Sequence, residues 1–513
     1  MAVLVTLFAF TGLRGIDTGR HPDEAWVLRS VVNAVETGRL LPDNYAHPSV
    51  DFTLALLAAA PEFARLLWER RGQDPGDRTF IGEVREGLRT RVGTHAFKLR
   101  TRAVFLFVTA LAIVWTYLLV LWWRRSAVEA LIAAALVASS WEIAYHARWI
   151  RPDTVMMQFA ALAWLCVVRA RSATHPIRWL CAAAIAGGLA TGTKYPGAIL
   201  IVPVLLAVWR YAPEPAAFRG RALCLGAVFC VTYLLSTPGT FVEPLRFGGN
   251  VVSEGRHYLA GDEVLGVQPG LPHLGLATVY LTAVAPSPYW VVSLGVTALA
   301  LIGVAAAFAT DRWTTGLLLI APVLYVAYFA MQRALFVRNL LFVIPIIAVF
   351  GAIGWGALTS RLSARLRILA GVPIVILVLV NLQWLVRAAE SIRNFTPERE
   401  RRAALDYIRA QPGTRFLLSS GVKDALDAAG AAIEPPRPDG RVVALVYASD
   451  LVVAPRLEGN RRGRFHFLPT GPFDRNYDYF PSRVVPDRMV LVDAGDAQRM
   501  GVSLAPSGGR PVE

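Results

Sequence analysis

Long apolar runs separated by short polar turns dominate the first 386 positions. The clearest lie at 103–123, 127–145, 154–170, 177–193, 196–210, 221–237, 289–309, 313–330, 338–358 and 368–386. Several approach the roughly 20 residues that a helix needs to cross about 30 Å of hydrocarbon. The shorter ones draw on their flanks. A first run, Met1–Ile16, has no basic residue before it and resembles neither a signal peptide nor a complete span. Counted as a span, it brings the expected total to about 11. Two further apolar stretches, Phe52–Trp68 and Leu274–Ala285, fall inside polar segments and predict interfacial or re-entrant helices.

Beyond residue 386 the pattern changes. TRFLLSS, RVVALVYAS, RFHFLPT and DRMVLVDAG read as short strands. FTPERERRAALDYIRAQPG and VKDALDAAG read as helices. The expected architecture is therefore a polytopic α-helical membrane domain over 1–386. A small external α/β domain follows over 387–513. External loops at 17–102 and 238–288 carry most of the remaining polar mass.

Composition agrees with this. Of 513 residues, 55% are hydrophobic and 17% charged, against about 25% charged in ordinary soluble proteins. That excludes a disordered chain, a coiled coil and a typical soluble enzyme. The formal net charge is +15, but it implies no nucleic-acid partner. Cytoplasmic loops of membrane proteins collect Lys and Arg against an anionic leaflet. The four cysteines all lie in apolar runs without paired spacing, so neither a disulfide framework nor a cysteine metal site is indicated.

Charge also sets direction. Arg124 and Arg125, then Arg169, Arg171 and Arg178, then Arg210, Arg219 and Arg221, then Arg312, then Arg361, Arg365 and Arg367 occupy alternate loops. The positive-inside tendency makes that side cytoplasmic. The N-terminus is then inside, and the C-terminal domain outside. The nine basic residues between Arg70 and Arg102 run against this solution, although long loops obey the rule weakly.

Ionisable residues gather at the external ends of the spans. RHPDEAW contains His21, Asp23 and Glu24, which either open a helix running to Gly38 or place a carboxylate at the membrane surface. His47 and Pro48 precede the 52–68 run. Asp51, one turn on, reads more readily as part of a helix start. YHARWIRPD packs His146, Arg148, Arg151 and Asp153 into eight positions, which implies partners or a polar cavity. Lys194, Arg333 and Arg338 are external cations with no topological reason to be there, and they suit an anion. His257, in the second loop, is a candidate for acceptor recognition. A transporter would place such groups nearer the middle of its spans.

These motifs resemble the GT-C superfamily of lipid-dependent membrane glycosyltransferases. The likeness is to the bacterial family 39 branch, with protein O-mannosyltransferases and the lipid A aminoarabinose transferase. It rests on HPDEAW, NYAHPSVDF, ARWIRPDTVMMQF, TGTKYPGAIL and RALFVRNLLFVIPI, in that order. It implies transfer of a sugar from a polyprenyl-phosphate donor to a glycan, lipid or protein acceptor. The reaction would occur on the outer face of a bacterial cytoplasmic membrane. Asp23 would be the catalytic acid of the first loop, with Glu24 beside it and Asp153 as the second acidic position. Lys194, Arg333, Arg338 and Arg148 would meet the donor phosphate. His21, His47, His146, Arg151 and His257 would border the cavity. Members with and without a divalent metal leave that ion open, with Asp23 and Asp153 its candidate ligands. HPSVDF departs from the proline-rich stretch common in the family. The competing readings are a flippase for a lipid-linked saccharide and a non-catalytic membrane scaffold.

Overall fold

A computed structural model describes residues 1–394 apart from 15, 18–20, 75–77, 212–214 and 262–265. Beyond 394 it describes 406, 409–410, 414–419, 422, 441–447, 489–493, 495, 498 and 504–506. The chain divides into two compact units. One comprises Met1–Ile16 with Pro22–Val386, and the other Asp17–His21 with Arg387–Glu513.

The larger unit is helical. Its chain order begins with α1 (Ala2–Leu13), α2 (Pro22–Thr37), α3 (Val50–Glu69), α4 (Arg78–Val92) and α5 (His95–Arg124). Then come α6 (Ala127–Ala138), α7 (Trp141–Ala147), α8 (Pro152–Ala170), α9 (Pro176–Thr193), α10 (Ile201–Tyr211) and α11 (Pro215–Ser236). It continues through α12 (Gly239–Val242), α13 (Pro244–Ala260), α14 (Leu271–Val279), α15 (Trp290–Ala330), α16 (Ile344–Thr359) and α17 (Ala364–Asn394). Six of the described helices are long and apolar enough to cross a membrane. Counting the α6–α7 pair, bent by 54°, as one broken span gives seven. The expected total of about 11 is therefore not reached on length and apolarity. The expected runs at 196–210 and 177–193 form α10 and α9, which fall short of that measure. The expected runs at 289–309 and 313–330 fall in α15, which is two helices joined at a non-helical kink at Asp311. At 1.5 Å per residue, each of its two segments is about as long as the hydrocarbon layer is thick.

The predicted helix at HPDEAW is α2, which ends before Gly38 at φ +72, a left-handed position that glycine fills without strain. The 52–68 run is α3. The 274–285 run forms α14 and a π turn at Tyr280–Val284. Several of the arginines that opposed the topology are paired with acids. Arg70 meets Glu83, Arg89 meets Glu36, Arg91 meets Glu62 and Glu69, and Arg100 meets Glu62. They bind α2, α3, α4 and α5 to one another, so this cationic segment has a local structural use.

In the smaller unit the described strands are β1 (Thr414–Ser419), β2 (Arg441–Tyr447), β3 (Met489–Asp493) and β4 (Leu504–Pro506), in the order β3-β2-β1-β4. β1 and β2 are parallel, and both outer pairings are antiparallel. Three strands fall where alternation placed them, whereas β4 was not anticipated. The expected strand RFHFLPT and helix VKDALDAAG lie outside the described residues except Val422.

Candidate functional site

Helix ends build the site. Asp23 stands in the first turn of α2, where the N-terminal dipole favours a negative charge. Arg151 is the extended N-cap of α8, and Asp153 lies in that helix's first turn behind Pro152. Lys194 is the extended C-cap of α9, from which a 3-10 turn, Tyr195–Leu200, departs. Arg338 and Asn339 sit in another 3-10 turn, Val337–Val343, leading into α16.

Their side chains form one network. The Arg151 guanidinium is 2.7 Å from Asp23 Oδ2, and its Nε is 3.5 Å from Asp153 Oδ2. Lys194 Nζ donates to Asp153 Oδ1 at 2.6 Å and also to Asn339 Oδ1. Arg338 reaches both acids more loosely, at 3.9 Å from Asp23 and 3.8 Å from Asp153, while its guanidinium stacks 4.2 Å from the Phe336 ring. Asp153, Lys194 and Arg151 are buried; Asp23 and Arg338 keep side-chain exposures of 29% and 16%. The network thus has a buried base and an open edge.

That edge borders a cavity of about 490 Å³, within the size range of small-ligand sites. Asp23, His47, Asp51, Glu254, His257 and Arg338 are among its lining residues. Burial works to raise the Asp23 pKa, but Arg151, Arg338 and His47 outweigh it and hold the group below the usual carboxylate range. Burial lowers His47 to about 4, with Asp23 opposing and Lys194 reinforcing the shift, so its imidazole is neutral at neutral pH.

Other expected site residues go elsewhere. Glu24 is buried in a bidentate pair with Arg102, at 2.6 Å for each oxygen, and accepts from the Ile150 N–H at 3.3 Å. Arg102 also lies 4.6 Å from the Trp149 ring. The pair joins α2, α5 and the loop before α8, and Glu24 does not line the cavity. His146 lies 3.1 Å from Glu142 within α7. Arg148 is buried beside that helix, and burial brings its pKa down to about 10. Arg333 is exposed, does not line the cavity, and is engaged through its backbone, to Tyr258 O and Val267 N. His21 falls in the smaller unit. Asn339 and Tyr258 were missed. Neither type stands out in an apolar or mixed stretch, and only proximity to Lys194 and to the cavity marks them.

The donor set does not fit a divalent ion at Asp23 and Asp153. Both carboxylates are neutralised by two guanidiniums and an ammonium, so a metal there would meet three like charges. Among the described residues no group of three His, Cys, Asp or Glu side chains could hold one. The arrangement suits an anion that competes with the carboxylates for the cations.

Comparison with known proteins agrees with the architecture. The dolichyl-phosphate-mannose-protein mannosyltransferase family matches residues 87–212, about a quarter of the chain, which include Arg151, Asp153 and Lys194. The crystal structure of ArnT from Cupriavidus metallidurans bound to undecaprenyl phosphate superposes with a TM-score of 0.50 at 13% identity, covering 76% of this chain and 69% of that one. Its apo state gives 0.49 at 13% identity, over 76% and 63%. The apo oligosaccharyltransferase of Archaeoglobus fulgidus gives 0.46 at 13% identity, over 86% and 60%. This chain therefore spans roughly two thirds of the length of those enzymes. Comparison with curated protein sequences gives no match. The chain resembles GT-C glycosyltransferases and has the multi-pass membrane architecture of that type.

Proposed function

We propose that the protein is a membrane glycosyltransferase that takes a sugar from a polyprenyl-phosphate carrier. The observation that supports it best is the network joining Asp23, Arg151, Asp153, Lys194 and Arg338 at one wall of the cavity. A carboxylate faces the open space, and cations stand beside it. Inverting transfer needs both: a base for the acceptor and a counter-charge for the leaving phosphate.

In the reaction, the acceptor O–H gives its proton to Asp23. The acceptor oxygen bonds to the anomeric carbon as the bond from that carbon to the phosphate oxygen breaks. The electron pair leaves on the polyprenyl phosphate, and single displacement inverts the anomeric centre. Arg338, with its long contacts, turns from the carboxylates to the phosphate most readily. Lys194 and Arg151 stabilise charge from deeper in the wall. As Arg338 moves away, Asp23 loses an attractive partner and becomes more basic, so donor binding readies the base.

α13 supports a lipid carrier. It presents Ser253, Glu254, His257 and Tyr258 to the cavity, while Leu245, Val252 and Leu259 are exposed on its other side. Such a helix suits the interface between headgroups and acyl chains. The charges gather at helix ends rather than in the middle of long helices, which speaks against a transport pathway at the membrane midplane. We place the reaction on the outer face of a bacterial cytoplasmic membrane, with the N-terminus inside. The acceptor is a glycan, lipid or protein. The test is transfer by the purified chain from a panel of polyprenyl-phosphate sugars, read by mass spectrometry of the product. No product and no donor hydrolysis with any of them would overturn the reading.

A further inference from the structure

Asp51 and Glu254 are the cavity acids that stand outside the ion network among the described residues, and Asp51 is the fully buried one. It lies in the first turn of α3, is 2% exposed, and lines the cavity. Neither of its carboxyl oxygens has a hydrogen-bond partner among the described residues. It does not cap α3, because Ser49 holds the N-cap position and makes no side-chain cap bond. The nearby cations are committed to the other acids: Arg151 to Asp23 and Asp153, Lys194 to Asp153 and Asn339, and Arg338 to Asp23 and Asp153. A buried carboxyl without a partner costs stability, and in a native fold such a group calls for an explanation.

We propose that Asp51 recognises the sugar of the lipid-linked donor by hydrogen-bonding one of its ring hydroxyls. This rests on the glycosyltransferase reading above. Burial, and secondarily the neighbouring Asp153 charge, raise the Asp51 pKa well above the ordinary value, which favours the protonated carboxyl. It then offers one O–H donor and a carbonyl acceptor. A hydroxyl both donates and accepts, which matches that pair. A phosphate only accepts, and the cations already provide for it. The donor sugar is attached directly to the phosphate those cations would hold. Asp51 lines the same cavity as Asp23 and Arg338, next to the space where that sugar would lie.

The experiment uses the full chain in nanodiscs as wild type, Asp51→Asn, Asp51→Leu and Asp51→Ala. It measures affinity for undecaprenyl-phosphate hexoses and pentoses, for undecaprenyl phosphate alone, and thermal unfolding without donor. The wild type should bind its preferred sugar donor more tightly than the bare phosphate. D51L and D51A should lose roughly tenfold toward that donor, the size of one hydrogen bond to a buried polar group. Their affinity for bare undecaprenyl phosphate should stay within about twofold. D51N, whose amide also donates and accepts, should keep most of the preference. Unfolding temperatures of D51L and D51A should equal or exceed that of wild type, since no bond is lost. The proposal is overturned if D51L and D51A keep the wild-type ratio of the two affinities. It is equally overturned if both affinities and the unfolding temperature fall together, or if neither variant folds, because Asp51 is then structural. A wild type that binds neither lipid overturns the glycosyltransferase reading itself, and the inference with it.

Discussion

Asp23 and Glu24 are neighbours in sequence with different surroundings. Asp23 meets the cavity, whereas Glu24 is locked to Arg102. Asp23→Asn should lower turnover by about 10²–10⁴-fold, the usual worth of a general base, with a smaller loss of stability than Glu24→Gln because Arg151 keeps Asp153. Glu24→Gln should do the reverse. It leaves a buried guanidinium short of its counter-charge, so it should destabilise by about 3 kcal/mol while the folded fraction keeps wild-type turnover. Denaturation in nanodiscs, set beside turnover per folded molecule, checks both. If the two substitutions give the same pattern, the division of roles is wrong. His47 adds a pH effect. Its folded pKa of about 4 lies below the ordinary value of 6.5. Between those values the unfolded chain takes up a proton that the folded one refuses, so stability falls as pH drops from 6.5 toward 4. His47→Gln should flatten that part of the stability curve. The HPDEAW and ARWIRPD motifs exposed Asp23, Arg151 and Asp153 as candidates because charged groups beside apolar runs are costly and conspicuous. Asp51 was hard to read, because an acid at a helix start has an ordinary explanation until its oxygens are seen to lack partners.

At the scale of elements, glycine decides how closely α15 and α16 approach. A Cβ on Gly303 would collide with the carbonyl of Phe350, and one on Gly354 with that of Leu299. The contact is reciprocal and made with backbone, which cannot rotate away as a side chain can. Small residues serve membrane helix packing in this way. Gly303→Ala or Gly354→Ala should each cost about 1–3 kcal/mol, the range for overpacking. Gly295→Ala, with open space around it, should cost far less, and thermal unfolding of the three variants compares them. Because α16 follows directly from the turn carrying Arg338 and Asn339, the two damaging variants should also weaken donor binding. Hydropathy located both helices but gave no sign of this fit, since periodicity records which face is apolar and not how near a neighbour comes.

For the whole molecule, the alternation of basic loops predicts that positions 85 and 312 lie on opposite sides of the membrane. Arg85→Cys and Arg312→Cys, made in a background lacking the exposed Cys224 and Cys230, should react with an impermeant thiol reagent from opposite faces of oriented vesicles. Labelling of both from one face would overturn the orientation. The cations of 70–102 are the residues that run against this orientation, and Arg70, Arg89, Arg91 and Arg100 among them are paired with acids of neighbouring helices. Sequence by itself determined that this chain is a multi-pass helical membrane protein. It also determined where most helices and three of the four described strands lie. Those properties depend on local length, apolarity and periodicity. Only the tertiary structure decided which charges share a site. It brought Asp23 to Arg151 across 128 positions and Lys194 to Asn339 across 145, sent Glu24 to Arg102, and left Asp51 without a partner. Ionic pairing depends on distance in space, and in a bundle of helices that distance is set by packing between segments far apart along the chain.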